Sequence, residues 1–475
     1  MFNMATFGYR YWLPLILVIT GSFASLNTPR AAWPNGPFVT SGRWIHDAAG
    51  STITYVGVNW PASLDTMIPE GLQYQSIEAI VSRIKSLGNS VRLTYAIEMI
   101  DQIYENGETD ITIQRALTDA LGQEHGTTVY NSIIENNPSF NDETTRLQVF
   151  DAIAAETARQ QIYLHLDNHI SKSGWCCSPL DGNAWWGDQY FDIQHWTRGL
   201  SFMADHGKTW SNLMSMSLRN ELRQPLSNFT FAGQVYNWEN WYTHVKQGSD
   251  AIHGSNENVL IFLSGLDSDQ DLSPVVDGTA LTPGTATFNR DDFSGYADKL
   301  VLELHAYDNI FGSSPSNCSA VQDKLFSAGF KALANDARNQ FPVVLTEFGT
   351  EQDESAVQDP YISCLLDYVS SHNAGWMIWE LGGSYYIREN STDADESWGL
   401  LVHDWSDWRA PDFVSNSLAP AANSTLTLHD NADSSTSDGE SIGTSLKFAL
   451  VFGLFDLPLS FHVATLAITF ANIFH

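Results

Sequence analysis

Two glutamates carry the chemistry that this chain could perform. Glu221 stands in the stretch SLRNEL and Glu347 in LTEFGT, each close behind a short apolar run. Facing carboxyls can act as proton donor and nucleophile on a glycosidic bond. About 5–5.5 Å apart they give retention through a glycosyl-enzyme, whereas about 6.5–9.5 Å leaves room for a water and inverts. The work needs opposite protonation states. Glu347 must be ionised to attack, and a guanidinium such as Arg92 lowers a carboxyl pKa. Glu221 must begin protonated, a state favoured by poor solvation or by the negative field of Glu347. Further polar residues recur at comparable places: Arg92 in the second run, Asp167 and His169 after the third, and Asn220 beside Glu221. His305 and Tyr307 follow the sixth run, and Trp379 closes the eighth.

The elements that must position them follow from periodicity. Eight β-branched or apolar runs (54–59, 90–94, 162–166, 214–218, 259–263, 300–304, 342–346 and 375–379) alternate with longer helical patterns. Residues 76–87 place apolar side chains at 77, 80, 81, 84 and 87, a helical stripe, and residues 146–160 behave alike. Strand–helix repeated eight times predicts an α/β fold, a (β/α)8 TIM barrel. A doubly wound nucleotide-binding sheet is disfavoured, since no Gly-rich phosphate turn follows the first run. Barrel active sites lie at the carboxyl ends of the strands, where these polar residues gather, with strands four and seven across the mouth from one another.

Composition bounds the partners. Of 475 residues, 23 are Lys or Arg and 55 Asp or Glu, a formal charge of −32. Nucleic acid and anionic lipid both require a basic counterface, so neither is expected as a partner. The first 24 residues hold one charge, Arg10, and residues 423–475 hold five acids and one lysine, so the acidity belongs to the folded middle. Seven of the 16 tryptophans fall between Trp175 and Trp241, which suits stacking on sugar rings. At least one of the adjacent Trp185 and Trp186 is expected to face the cleft. The long stretch Tyr95–Asp151 is read as a wall at one end of the cleft or as a surface elaboration.

The ends read as targeting segments. Residues 1–24 have a short apolar core and small residues before a cut, as in a signal peptide. Residues 25–422 form the expected catalytic domain. Residues 423–447 are rich in Ser, Thr and Asp and read as a linker. The apolar tail 448–475 resembles a glycosylphosphatidylinositol attachment signal, with a membrane helix as the alternative and Asp456 opposing insertion. Sequons at Asn228, Asn317, Asn390 and Asn423 agree with a secreted or cell-surface protein, taken as a monomer. Four cysteines allow three pairings. Cys318 with Cys364 would leave the neighbours Cys176 and Cys177, while crossed pairing or two free thiols stay open.

Together, the elements SKSGWCCS (171–178), DGNAWWGD (181–188), SLRNEL (217–222), LSGL (263–266) and EFGT (347–350) make the chain resemble glycoside hydrolase family 5. These are the cellulase-type retaining enzymes, and the likeness is closest to a fungal and plant branch over residues 34–413. The resemblance implies Glu221 as acid/base, Glu347 as nucleophile, and Asn220 on the sugar 2-hydroxyl. It further implies that Arg92 and Tyr307 orient Glu347, His169 and His305 contact sugar or carboxylate, and Trp379 floors the site. It implies an endo-β-glucanase-like enzyme on β-linked polysaccharide or oligosaccharide, with no cofactor and no metal. Leu222 departs from the commoner Asn-Glu-Pro, which puts inherited substrate names in doubt. Three other functions compete: a cell-wall transglycosylase using the same residues, a metal-dependent hydrolase on His165-x-Asp167-x-His169, and a non-catalytic carbohydrate-binding barrel. The expectation that separates the metal site is positional: His165 lies early in its strand and should sit inside the barrel.

Overall fold

A computed structural model describes residues 33–226, 235–308, 317–353 and 355–436. The chain divides into units 1–433 and 434–475, and of the second only the end of one helix is described. The expected signal segment, the sequon at Asn228 and the apolar tail lie outside the described residues.

The barrel forms as the periodicity predicts. Its strands are β1 Val56–Trp60, β2 Ser90–Ala96, β3 Tyr163–Ile170 and β4 Leu213–Ser217. They continue with β5 Leu260–Leu263, β6 Leu300–Ala306, β7 Val343–Phe348 and β8 Gly375–Ile378. Each pairs in parallel with the next, and β8 closes on β1. Every residue of all eight strands is buried, because one face lines the barrel and the other meets helices. That is why the strands read as continuous apolar runs rather than alternating ones. Among the polar residues interrupting those runs, Arg92, His165, Asp167 and Glu303 are bonded within the barrel interior.

The helices outside repeat one logic. Ile77–Leu87 starts where the Ser76 side chain accepts the Ala79 N–H, and it buries Ile77, Ile80, Val81, Ile84 and Leu87, the stripe read from sequence. Arg146–Arg159 opens with a capping box between Thr145 and Gln148. A feature with no clear periodic signal closes the amino-terminal end of the barrel. Three short antiparallel strands, Val39–Ser41, Trp44–His46 and Thr52–Ile53, bring Phe38 and Ile45 into an apolar cluster with Met214, Phe262, Val301 and Met377.

The fold runs past residue 422. A helix spans Ala419–Thr436, so residues 423–436, read as the start of a linker, are helical. Thr425 is buried and accepts a hydrogen bond from Trp376 Nε1 at 3.2 Å, and Ala421 and Ala422 pack beside it. A polar composition did not reveal that one face of the segment docks on β8.

Candidate active site

The barrel interior changes from apolar to polar along its axis. Above the Met214–Phe262 layer, Tyr55 donates to Ser215 Oγ at 2.7 Å. His165 sits between two serines, Nδ1 2.7 Å from Ser215 Oγ and Nε2 2.8 Å from Ser217 Oγ. Ser217 in turn donates to Glu303 at 2.7 Å. Burial, with Arg92 nearby, pushes the His165 imidazole down to about 3, so it is neutral. Both its ring nitrogens are used inside the barrel, so His165, Asp167 and His169 do not converge on one point at the mouth.

At the carboxyl end stands Arg92, fully buried. Its Nη1 donates to Glu347 Oε1 at 2.5 Å and to Asn59 Oδ1 at 2.8 Å, and its Nη2 donates to Asn220 Oδ1 at 2.8 Å. Nη2 also lies 3.0 Å from Asp167 Oδ1, an ion pair rather than an aligned hydrogen bond. Burial opposes charge on both partners, yet Arg92 holds the Asp167 carboxyl down at about 2. One guanidinium thus fixes a carboxylate from β7, an amide from the loop after β4, and a carboxylate from β3.

Glu347 is aimed by a bulge. Leu345 pairs with Leu304 and Glu347 with His305, so Thr346 is an extra residue in β7. The Asn59 side chain binds the freed Thr346 carbonyl at 2.9 Å. Tyr307 donates to Glu347 Oε2 at 3.1 Å, so each carboxylate oxygen has a donor of its own.

Glu221 lies four residues beyond β4, with a left-handed φ of 46°. For a residue with a side chain that conformation costs about 1–3 kcal/mol and survives only when its surroundings enforce it. Here the Glu221 N–H donates to Asp269 Oδ2 at 2.8 Å, and Arg223 binds the Glu221 carbonyl at 2.8 Å. A proline at 222 would favour extended backbone at Glu221; Leu222, buried, permits the turn observed. Burial raises the Glu221 carboxyl above its usual range, against the pull of Arg223.

His305 Nδ1 lies 3.1 Å from Glu221 Oε1 and 3.6 Å from Glu347 Oε2. Burial depresses its imidazole to about 4, leaving it a neutral spacer between the two acids. One oxygen of each glutamate and a His305 nitrogen all lie within 4.8 Å of one another. These three groups have the spacing of metal ligands, as do Cys176, Cys177 and Glu221, but the two sulfurs are joined in a disulfide and offer no thiolate.

A cavity of about 380 Å³ opens above the two glutamates. Its floor is Trp379, stacked on His169 at 5.3 Å between ring centroids, and His169 Nδ1 is 2.7 Å from Asp167. Its walls include Trp175, Trp398, the Cys176–Cys177 pair, and Arg388 with Glu396. Arg388 lies 3.5 Å over the Trp175 ring and 2.5 Å from Glu396, and it comes from the hairpin Ser384–Arg388/Ser391–Asp395 after β8. Cys318 pairs with Cys364 and Cys176 with Cys177, which settles the pairing left open above.

Six of the eight expected site residues, His169, Asn220, Glu221, Tyr307, Glu347 and Trp379, line this cavity. Arg92 and His305 lie beneath it and reach the carboxylates instead, so they position rather than touch a ligand. One expectation is corrected, and one choice between alternatives is decided. Trp185 and Trp186 are both fully buried, edge to face with each other, and Trp186 packs on Phe191 and Trp196. They build the core beneath the loop after β3 and do not face the cleft. The stretch 95–151 contributes no lining residue; it folds largely as the helices Ile97–Glu105, Ile113–Leu121 and Gln123–Asn136, a surface elaboration. Asn59, Asp269 and Glu303 were missed. Asn59 and Glu303 were legible as polar breaks in apolar runs, but Asp269 sits in an acidic loop like many others.

Comparison with known proteins adds an independent line. Residues 81–384 match the family model for cellulase (glycosyl hydrolase family 5). A glycosyl hydrolase 5 family protein of Chamaecyparis obtusa is 34% identical over 396 residues, 80% of this chain and 65% of that protein. The major extracellular endoglucanase of Xanthomonas campestris pv. campestris is 25% identical over 279 residues, 56% of this chain and 51% of that protein. The chain therefore spans between half and two thirds of the length of these relatives. Among solved structures, the catalytic domain of the Xanthomonas enzyme is similar with a TM-score of 0.59 at 18% identity, covering 82% of this chain and 99% of the other. A Pyrococcus horikoshii endocellulase in complex with cellotetraose has a TM-score of 0.59 at 17% identity, with 81% and 98% covered. At such identity the likeness concerns the fold.

Proposed function

The chain belongs to glycosyl hydrolase family 5, and on that premise we propose that it is a retaining glycosidase that hydrolyses β-linked glucan-type polysaccharide or oligosaccharide by double displacement. The observation that carries this is the approach of Glu221 and Glu347 oxygens within 4.8 Å, the short spacing that suits a covalent intermediate and leaves too little room for the water of an inverting enzyme. Glu347 attacks the anomeric carbon while Glu221 gives its proton to the departing oxygen. Glu221, now ionised, takes a proton from water, which attacks the glycosyl ester and frees Glu347. Arg92 and Tyr307 hold the attacking carboxylate, and neutral His305 separates the two acids. Trp379, Trp175 and Trp398 offer flat apolar faces to pyranose rings.

The β-glucan assignment is supported by the endoglucanase and endocellulase names of the relatives. An extracellular setting is supported by the N-terminal apolar segment, the sequons and the two disulfides. Attachment through a lipid-anchored C-terminus is part of the same proposal. Proton NMR of cello-oligosaccharide hydrolysis tests the reaction class: the β-anomer should appear first and then mutarotate. Initial release of the α-anomer would rule out double displacement.

A further inference from the structure

One buried carboxyl outside the reacting pair is tied to both sides of the proton donor. Asp269 is fully buried in the loop after β5, where Asp267, Ser268 and Asp269 have successive left-handed φ values of 53°, 56° and 60°. Three such residues in a row are costly for side chains with a Cβ. The turn is fastened at several points. Ser268 N–H donates to the Leu222 carbonyl at 3.0 Å, and Asp269 Oδ2 accepts the Glu221 N–H at 2.8 Å. On its other side the Asp269 carbonyl accepts the His305 N–H at 2.8 Å, and Oδ2 lies 3.8 Å from His305 Nε2. Asp269 therefore touches the backbone of the donor and the residue whose imidazole meets the donor's carboxyl. Its Oδ1 has no hydrogen-bond partner among the described residues.

We propose that Asp269 is a positioning residue for proton donation: it braces Glu221 in its left-handed turn and His305 against it, and so sets where the acidic proton is delivered. The inference rests on the proposed double displacement. The Glu221 φ of 46° cannot be a default of the loop, since nothing in an Asn-Glu-Leu sequence favours it, and Asp269 supplies the side-chain acceptor for that N–H. Burial and the neighbouring Glu303 raise the Asp269 carboxyl well above its usual range, against the Glu221 N–H and Arg92. A neutral carboxyl adds no second negative charge beside the acid and can still accept an N–H through its carbonyl oxygen.

Acid assistance matters only when the leaving group is poor, and this gives a readout that a purely structural role would not move. With aryl β-cellobiosides, kcat/KM reports the glycosylation step. D269A should lower kcat/KM on the phenyl glycoside by about 10²-fold, the scale of a misplaced general acid, while the 2,4-dinitrophenyl glycoside stays within about threefold of the parent. D269N, whose amide oxygen can still accept the Glu221 N–H, should recover at least about a third of the parent value on the phenyl glycoside. Equal losses of D269A on both glycosides, no loss on either, or a D269N as impaired as D269A would each overturn the brace. If D269A does not fold, D269S takes its place under the same outcomes. E221Q in the same series separates the two claims. If E221Q shows the leaving-group-dependent loss and D269A does not, the brace alone falls. If E221Q does not show it, the assignment of Glu221 falls and takes the brace with it.

Discussion

The carboxyls of Glu221 and Glu347 come within 4.8 Å of each other, yet they are held by different partners. Glu347 receives the buried Arg92 guanidinium on one oxygen and the Tyr307 hydroxyl on the other. Among the described residues the Glu221 carboxyl has one hydrogen-bond partner, the neutral His305 imidazole at 3.1 Å, and burial raises it. Two like residues thereby stand in different surroundings, as the proposed roles of nucleophile and acid require.

Removing the nucleophile should abolish hydrolysis but leave the cavity. For Glu347→Ala, kcat on cello-oligosaccharides is expected to fall by at least about 10⁴-fold. Added azide should fit the vacated space and, with an activated aryl glycoside, yield a glycosyl azide of inverted configuration. A folded variant that azide cannot rescue would count against Glu347 as the attacking group.

The activity optimum should lie on the acid side of neutrality. Glu221 must be protonated in the resting enzyme, so activity falls on the alkaline side as it ionises, at a pH raised above the ordinary carboxyl range by burial. His305, pushed down to about 4, does not set that limb. A pH profile of kcat/KM with a maximum above pH 8 would contradict the assignment.

Stability should also decline from mildly acidic to mildly alkaline pH. Burial raises Glu70, Glu380 and Asp269 well above the usual carboxyl range and Glu303 to about 7. Between about pH 4 and 7 the native state keeps protons that the unfolded chain, with carboxyls near 4, has released, so unfolding becomes easier as pH rises. His403 adds the same sign: burial alone would lower it, but Asp393 and Asp395 raise it, so its contribution is present at low pH and lost as pH passes its folded value. Asp167, at about 2, acts only below that window. Differential scanning calorimetry should find a higher Tm at pH 5 than at pH 8; a higher Tm at pH 8 would show that these carboxyls are ionised in the fold.

Arg92 should matter to the fold as much as to the reaction. Replacing it by Met leaves Asp167 and Glu347 buried without their cation, a defect worth about 3–5 kcal/mol. Urea denaturation should show the lower midpoint, and residual activity should fall at least about 10²-fold as Glu347 loses its orientation. An unchanged midpoint would mean that the two carboxyls are protonated or hydrated without Arg92.

The barrel was legible because buried parallel strands write continuous apolar runs, and the eight runs matched β1–β8 with modest changes at the ends. β3 shows where that reading stops. It extends to Ile170, past the polar Asp167 and His169, because those side chains are paired within the mouth and the strand need not end where apolar residues do. The glutamates were legible by their place at strand ends. Trp185 and Trp186 were not, since adjacent tryptophans in a loop give no sign of which layer covers them. Arg388 and Trp398 reach the mouth, and Asp269 the backbone of Glu221, from segments after β8 and β5 whose local sequence is ordinary. Only the closed ring of strands brings them beside Glu221 and Glu347.

Covalent trapping tests the central claim most directly. Incubation with a 2-deoxy-2-fluoro-β-cellobioside bearing a good leaving group should stall the enzyme as a glycosyl ester, and peptide mass spectrometry should place the added sugar on Glu347. Label on Glu221 would exchange the two roles. No label, from an enzyme that still turns over β-glucan, would contradict double displacement.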